Sequence, residues 1–345
     1  MTAPKSPVRP AVMTDVAKLA GVSHQTVSRV LNGSSKVRAE TRERVLRAVD
    51  ALDYRPNAMA RGLASRRSKI LGVIGFDTIL HGPASTLLGI ERAARTAGYG
   101  VSIVTVEQVD RISVANAAET LSRQGVDGVI VIAPQLAAAS ALRHFPAGMV
   151  AVAVEAGQDS GLPSASVDQI AGARLAVEHL LGLGHRTVWH IAGPGNWLEA
   201  RDRIEGWRRT LNAAGIAAPE PVDGDWSARS GYRAGLELAG RPGVTAVFAA
   251  NDHMALGLLR ALHERGIRVP ADISVVGFDD IPEAAYLFPP LTTVRQDFDE
   301  VGRRSMAALL SLLDEREEEC EAAAEPIQPT LVVRDSTAAP PASTK

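Results

Sequence analysis

The chain of 345 residues has a single cysteine, Cys320. That excludes an intrachain disulfide and a cysteine-built metal cluster. Its eight histidines show no metal-ligand spacing, so no metal and no cofactor is expected. Aromatic residues are scarce, 4% against 46% apolar in all, the balance of an Ala/Val/Leu-rich α/β protein. No run of 18 apolar residues occurs, so no membrane span is expected. The opening MTAPKSPVRPAVM lacks an apolar run of signal-peptide length, which predicts a cytoplasmic protein. The AGPGN stretch at 192–196 lacks the Gly-Lys-Ser/Thr ending of a phosphate-binding loop. Ser85 and Ser230 lack the flanks of a nucleophile elbow. The expectation is therefore a protein that is not an enzyme.

Net charge is also low, at −2, but it is unevenly spread. Residues 1–70 hold 14 Lys and Arg against 5 Asp and Glu, while the remainder holds 23 against 34. A basic head on an acidic body is the electrostatic footprint of a nucleic-acid-binding domain joined to something else. The length predicts two or three domains.

After a proline-rich start, the pattern turns helical. Thr14 is placed to cap a helix over 15–20, with Val16, Leu19 and Ala20 on one face. Gly21 permits a tight turn and Ser23 caps a second helix running to about Asn32, with Val27, Val30 and Leu31 inward. A third helix is predicted from about Ala39 to Leu52 around Val45, Leu46 and Val49, and Pro56 ends regular structure. The segment NAMARGLASRRS, 57–68, is marginal as an isolated helix because of Gly62 and its short length.

From Lys69 the pattern changes. Short β-branched runs such as ILGVIGF, GVSIVTV, GVIVIA, VAVAVE, TVWHIAG, TAVFAAN and ISVVGFD alternate with amphipathic helical stretches. Buried runs separated by helices read as βαβ units with a parallel sheet. About ten such strands predict two doubly wound subdomains.

Two short helices joined by a glycine-containing turn, the second polar in its first turn, form a helix-turn-helix. His24 and Gln25 are then placed to read base edges, because imidazole and amide groups match groove donors and acceptors. Ser23, Thr26, Ser28 and Arg29 are placed to contact phosphate or bases, and Thr14, Asn32 and Tyr54 complete the expected DNA-contacting set of the headpiece. The alternative is a capped surface helix with polar residues at its start.

The stretch TDVAKLAGVSHQTVSRVLNGSSKVRAETRERVLRAVDALDYRPNAMARGLA resembles the DNA-binding headpiece of the lac repressor/galactose repressor family of transcriptional regulators. HGPAS, AVEHLLGLGH, GDWSARSGY, AANDHMALG, DISVVGFDD and PPLTTVRQDF carry the resemblance through the body, from about Met13 to Ser336. It implies a small all-α helix-turn-helix headpiece followed by an α/β periplasmic-binding-protein-like core of two doubly wound parallel-sheet subdomains. The implied boundaries are a disordered extension over 1–12, the headpiece over 13–56 and a hinge helix over 57–68. One core subdomain takes 69–167 and 297–327, and the other takes 168–296 and 328–336. A disordered tail covers 337–345.

In this family the hinge segment folds on the operator and a leucine wedges into the minor groove. Leu63 matches that leucine, and Asn57 and Ala60 match neighbouring contacts. An apolar wedge costs a few kcal/mol of unstacking, roughly, offset by the contacts that bending allows. The core implies a ligand between two lobes, and a sugar needs planar polar groups for its hydroxyls and an aromatic face for its ring. Arg203, Asn251, Asp279 and Gln296 supply the first and Trp226 the second. Leu80, Gly82, Pro83 and Phe298 match further pocket positions. The chain departs from the family pattern at Phe76, where a small hydroxyl residue is usual, at Glu155, which replaces an aspartate, and at Val167, which replaces an aromatic residue.

The reading is a sugar-responsive repressor whose partners are double-stranded operator DNA, a small sugar effector and a second copy of the chain, without a membrane. STAAPPASTK carries no apolar heptads, so a homodimer on a palindromic operator is expected rather than a tetramer. A galactoside is the favoured effector. The alternatives are a β-glucoside or cellobiose-like sugar, or a corepressor-type regulator whose ligand strengthens DNA binding. A transport protein or a sugar-modifying enzyme fits less well, the first because of the headpiece, the second because only Glu155 and Asp279 stand out as pocket carboxylates.

Overall fold

Apolar spacing in the first fifty residues produces three helices that bury one face each. The computed structural model describes residues 11–31, 33–34, 36–54, 67–108, 110–157, 160–314 and 325–342. The chain divides into two units, Met1–Ser68 and Lys69–Lys345.

In the first unit, α1 spans Met13–Ala20, α2 His24–Leu31 and α3 Ala39–Ala51. Their core is Val16, Ala17, Ala20, Val27, Val30, Val45, Ala48 and Tyr54. Helix α1 ends at Gly21, whose φ of 62° is the left-handed conformation that suits glycine. Ser23 caps α2 as expected: its Oγ accepts from the Thr26 backbone N–H at 3.2 Å. Two expectations are corrected. Helix α1 begins at Met13 and not after Thr14, because Asp15 reaches back to accept from the Val12 N–H at 3.0 Å. Leu19 and Leu46 are exposed, at 57% and 45%; valines and alanines one turn away fill the small core instead.

The second unit carries two sheets. In the first, β1 (Ile70–Phe76), β2 (Gly100–Val106), β3 (Gly128–Ile132), β4 (Ala151–Val154) and β5 (Ser164–Ala165) lie in the order β2-β1-β3-β4-β5. All its pairings are parallel. Its connections include α4 (His81–Thr96), α5 (Arg111–Arg123) and α6 (Leu136–Leu142). The chain then crosses into α7 (Gln169–Gly182) and a second sheet. That sheet holds β6 (Trp189–Ala192), β7 (Val222–Asp223), β8 (Ala246–Ala249), β9 (Ser274–Asp279), β10 (Thr292–Arg295) and β11 (Thr330–Val332), ordered β11-β10-β9-β8-β6-β7. Only β11 runs antiparallel to its neighbour. Helices α8 (Leu198–Ala213), α9 (Ala228–Ala239) and α10 (Asp252–Glu264) belong to this half. Helix α11 (Phe298–Leu313) returns to cover the first sheet, burying Val301, Met306, Ala308 and Leu309 with Leu71, Val73 and Ile130.

Near-continuous burial of β1, β3, β4, β8 and β9 is what a parallel sheet covered on both faces requires. The tail expected to be disordered from 337 is corrected as far as Ala338. Thr337 Oγ1 lies 2.9 Å from His179 Nε2, and the Ala338 N–H donates to Ser274 Oγ at 3.0 Å. Buried Ser336, which accepts from the Thr292 N–H at 2.8 Å, anchors the strip. Its proline and alanine content hid these backbone and hydroxyl partners. The expected hinge helix over 57–68 lies outside the described residues except for Arg67 and Ser68. Among the described residues no helix is long and apolar enough to cross a membrane.

Candidate effector cleft and nucleic-acid interface

The carboxyl ends of strands from both sheets face one cleft, the usual ligand position in open α/β folds. All ten core residues expected at the effector line it. Leu80, Gly82 and Pro83 come from the start of α4, and Glu155 from the end of β4. Arg203, Trp226, Asn251, Asp279, Gln296 and Phe298 come from the second sheet's side and the start of α11.

Arg203, on α8, is buried at 4% exposure, with its guanidinium carbon 3.8 Å from the centre of the Phe278 ring. Its Nε donates to Gln169 Oε1 at 2.9 Å and one terminal nitrogen donates to the Ala250 carbonyl. Its other terminal nitrogen lies 3.8 Å from Asp279 Oδ1. Gln169 Nε2 donates to Gln296 Oε1 at 2.8 Å, and Gln296 Nε2 donates to Asp279 Oδ1 at 2.7 Å. The four side chains close a ring in which each orients the next. Burial raises the Asp279 carboxyl while the neighbouring Arg203 charge and the Gln296 bond pull it down. Behind the ring, Asp252 accepts from the Ile281 N–H at 2.9 Å and from Thr293 Oγ1 at 2.6 Å, and so pins the loop that follows Asp279.

Two tryptophans stand together on the cleft wall. Trp226 lies edge-on to Trp197, with ring centres 5.8 Å apart, and both line the cleft. Trp226 adopts φ 69°, and its carbonyl accepts from Asn251 Nδ2 at 3.1 Å. A side chain on Gly193 would meet the Trp226 ring at 2.2 Å, so glycine is required there. Asn251 also caps α10 by accepting from the Met254 N–H at 2.8 Å. Part of its amide is thus committed to holding the loop rather than open to a ligand. Glu155 at φ 56° and Asp279 at φ 110° join Trp226 in the left-handed region. Strained backbone at non-glycine residues gathers at functional sites.

Six lining residues lie beyond the expected set: His81, Thr86, Ile132, Pro134, Trp197 and Glu199. Trp197 and Glu199 stand at the start of α8. Glu199 precedes Arg203 by four residues, which puts both on one helix face, a signal present in the sequence. His81, at the start of α4, also lines the cleft, with its ring 5.8 Å from Phe298 and 6.3 Å from His253. Ile132 ends β3 and left no sequence signal beyond its strand. Gln169 stands just behind the lining as part of the ring. Two of the three departures act indirectly. Phe76 backs Trp197 at 6.2 Å between ring centres, and the Val167 backbone N–H donates to Glu155 Oε1 at 2.9 Å.

In the headpiece, Thr14, Ser23, His24, Gln25 and Arg29 are exposed, and Thr26 and Ser28 half-buried. The first turn of α2 thus presents polar groups outward while Val27 and Val30 face the core. Tyr54 is 8% exposed and packs in the headpiece core. Asn32, Asn57, Ala60 and Leu63 lie outside the described residues.

Comparison with known proteins agrees with this architecture. Residues 12–57 match the family model of bacterial regulatory proteins of the lacI family. Residues 177–337 match the periplasmic binding protein-like domain. The lactose operon repressor of Escherichia coli (strain K12) is 38% identical over 88% of this chain and 85% of its own length. The transcriptional repressor PurR of Pasteurella multocida is 34% identical over 94% of this chain and 98% of its own length. A crystal structure of the lac repressor dimer bound to operator and an anti-inducer superposes with a TM-score of 0.82 at 36% identity, covering 96% of this chain and all of that one. A complex of the regulator CelR with cellobiose gives 0.67 at 33% identity, covering 94% of this chain and 99% of that one.

Proposed function

The chain belongs to the lacI family of bacterial regulatory proteins, as an effector-responsive DNA-binding repressor, and from that premise we propose that its effector is a neutral pyranoside sugar held in the cleft between the two sheets. The carrying observation is the ring Arg203–Gln169–Gln296–Asp279 beside the Trp226 face. Such a ring fixes donors and acceptors before the ligand arrives, and the indole covers the apolar face of a pyranose.

Two headpieces of a cytoplasmic homodimer dock on the half-sites of a palindromic operator. The first turn of α2 enters the major groove, where His24 and Gln25 read base edges and Arg29 grips phosphate. Sugar in the cleft favours the arrangement of the two core subdomains that no longer supports operator binding. Linkage then requires that operator weaken sugar binding by the same factor. Moving such an equilibrium from 99:1 to 1:99 takes about 5.5 kcal/mol of differential binding.

A galactoside is the first reading of the sugar, supported by the kinship to lactose operon repressors. A second reading is a β-glucoside such as cellobiose. Trp197 and Glu199 favour it, since they add a second aromatic wall and a further hydroxyl acceptor, as a longer ligand needs. Titrating an operator complex with lactose, galactose and cellobiose separates the two readings by which sugar releases the DNA.

A further inference from the structure

Three carboxyl groups line the cleft; Asp279 belongs to the ring, and Glu155 and Glu199 come from opposite subdomains. Glu155 follows β4 of the first sheet, and Glu199 lies in the first turn of α8 beside the second. Among the described residues, the bond to the Glu155 carboxylate comes from the Val167 backbone N–H, which it accepts at 2.9 Å.

The charges around them do not balance the pair. The Arg203 charge on α8 pulls both carboxyls down, but its hydrogen bonds go to Gln169 and the Ala250 carbonyl, and Asp279 of β9 stands 3.8 Å away. Asp202 of α8 adds negative charge near both glutamates, and Asp279 adds more near Glu199. On α4, His81 lies in the lining, and His253 of α10 stands beside it; both face Asp279. Among the described residues no Lys, Arg or His forms an ion pair with either glutamate. Burial pushes the Glu155 carboxyl up to about 7, and burial together with the Glu155 charge pushes Glu199 well up. Two like charges in one weakly solvated site titrate as a unit, and the first proton is held tightly.

We propose that Glu155 and Glu199 hold one proton between them across the cleft and meet the effector as one carboxylic acid and one carboxylate, one from each subdomain. The inference rests on the reading of this cleft as the effector pocket. A shared proton gives the pair a donor as well as acceptors, which suits neighbouring hydroxyls of a neutral sugar. It leaves net negative charge, which rejects sugar phosphates and sugar acids. It also makes the approach of the two subdomains depend on protonation, because loss of the proton sets two carboxylates against each other.

The test needs no sugar. Carbon-13 carboxyl resonances of glutamate are followed against pH in the full chain, in Glu155→Gln and in Glu199→Gln. The proposal expects one glutamate of the wild type to titrate above about pH 6, and its partner's titration to fall by about one unit or more when either residue becomes glutamine. If both carboxyls titrate near the ordinary glutamate value, or if neither substitution moves the survivor, the proposal is overturned; the wild-type titration decides the first point even where a variant does not fold. Inorganic phosphate is the anion probe. The proposal expects no binding in the cleft at millimolar concentration near neutral pH, and tight binding there overturns it. A linked titration with no sugar able to release operator would sink the sugar reading alone.

Discussion

Gln296 donates from Nε2 to Oδ1 of Asp279 over 2.7 Å, while its own Oε1 accepts from Gln169 at 2.8 Å. The amide can face only one way under these two bonds, and it hands that orientation on to the carboxylate. The aspartate at the end of β9 is thus set by α7 and α8, not by its own strand. The cleft is preorganised by residues that need not touch a ligand themselves.

Gln169→Leu should therefore weaken the effector response without touching the headpiece. It leaves Arg203 Nε and Gln296 Oε1 without partners in a buried site, at a cost of about 1–3 kcal/mol for each group left unsatisfied. Denaturant unfolding should show the lost stability. Operator affinity without effector should stay within about twofold, and effector affinity should fall at least about tenfold.

Gly193→Ala should act on Trp226. The new methyl would meet the indole at 2.2 Å, so the ring must leave the cleft wall. Overpacking of this kind costs about 1–3 kcal/mol. The expected result is operator binding retained and effector response lost, with a red shift of tryptophan emission. Unchanged release by the sugar would contradict the role given to Trp226.

In the headpiece, Ser23→Ala removes the acceptor for the Thr26 N–H and should destabilise α2 by about 1 kcal/mol. Substitutions at His24 and Gln25 should change which operator is preferred, with about 1–3 kcal/mol at stake for each base read. Arg29→Ala should weaken all operators alike and flatten the salt dependence. Binding assays on an operator library at fixed salt distinguish these outcomes.

Stability should respond to pH through Glu155. Its carboxyl is raised in the folded chain to about 7, so the folded state holds a proton that the unfolded state has released above the ordinary glutamate value. Folding is then penalised increasingly as pH rises from about 4.5 to about 7. Glu155→Gln lacks that proton and should gain stability relative to the wild type over the same window. Buried His190, lowered to about 3, acts with the opposite sign up to its unfolded value, so the difference between the two proteins is the quantity to measure. A difference that stays flat with pH would contradict the raised carboxyl.

The sheets were legible in the sequence because each parallel strand is a short, wholly apolar run, and ILGVIGF and GVIVIA coincide closely with β1 and β3. Helix α1 starts two residues earlier than expected because its cap is a side chain acting at a distance, Asp15 reaching Val12. The cleft residues were legible as far as the family motifs reached. Gln169 was not, since a glutamine at a helix start is ordinary until it is seen bridging Arg203 and Gln296. Nor was the part that Tyr54 takes in the headpiece core, where a small domain draws on every large side chain it has. The tail misled because composition says nothing of Ser336 and its partners on β9 and β10.

The most direct test of the account is fluorescence anisotropy of the purified chain on DNA from upstream of its own gene, at fixed salt, titrated with lactose, allolactose, galactose, cellobiose and glucose. The account predicts that one of these neutral sugars releases the DNA and that Asp279→Asn abolishes the release while leaving operator binding intact. Operator binding that ignores every neutral sugar, but responds to a nucleobase or a sugar phosphate, would contradict it.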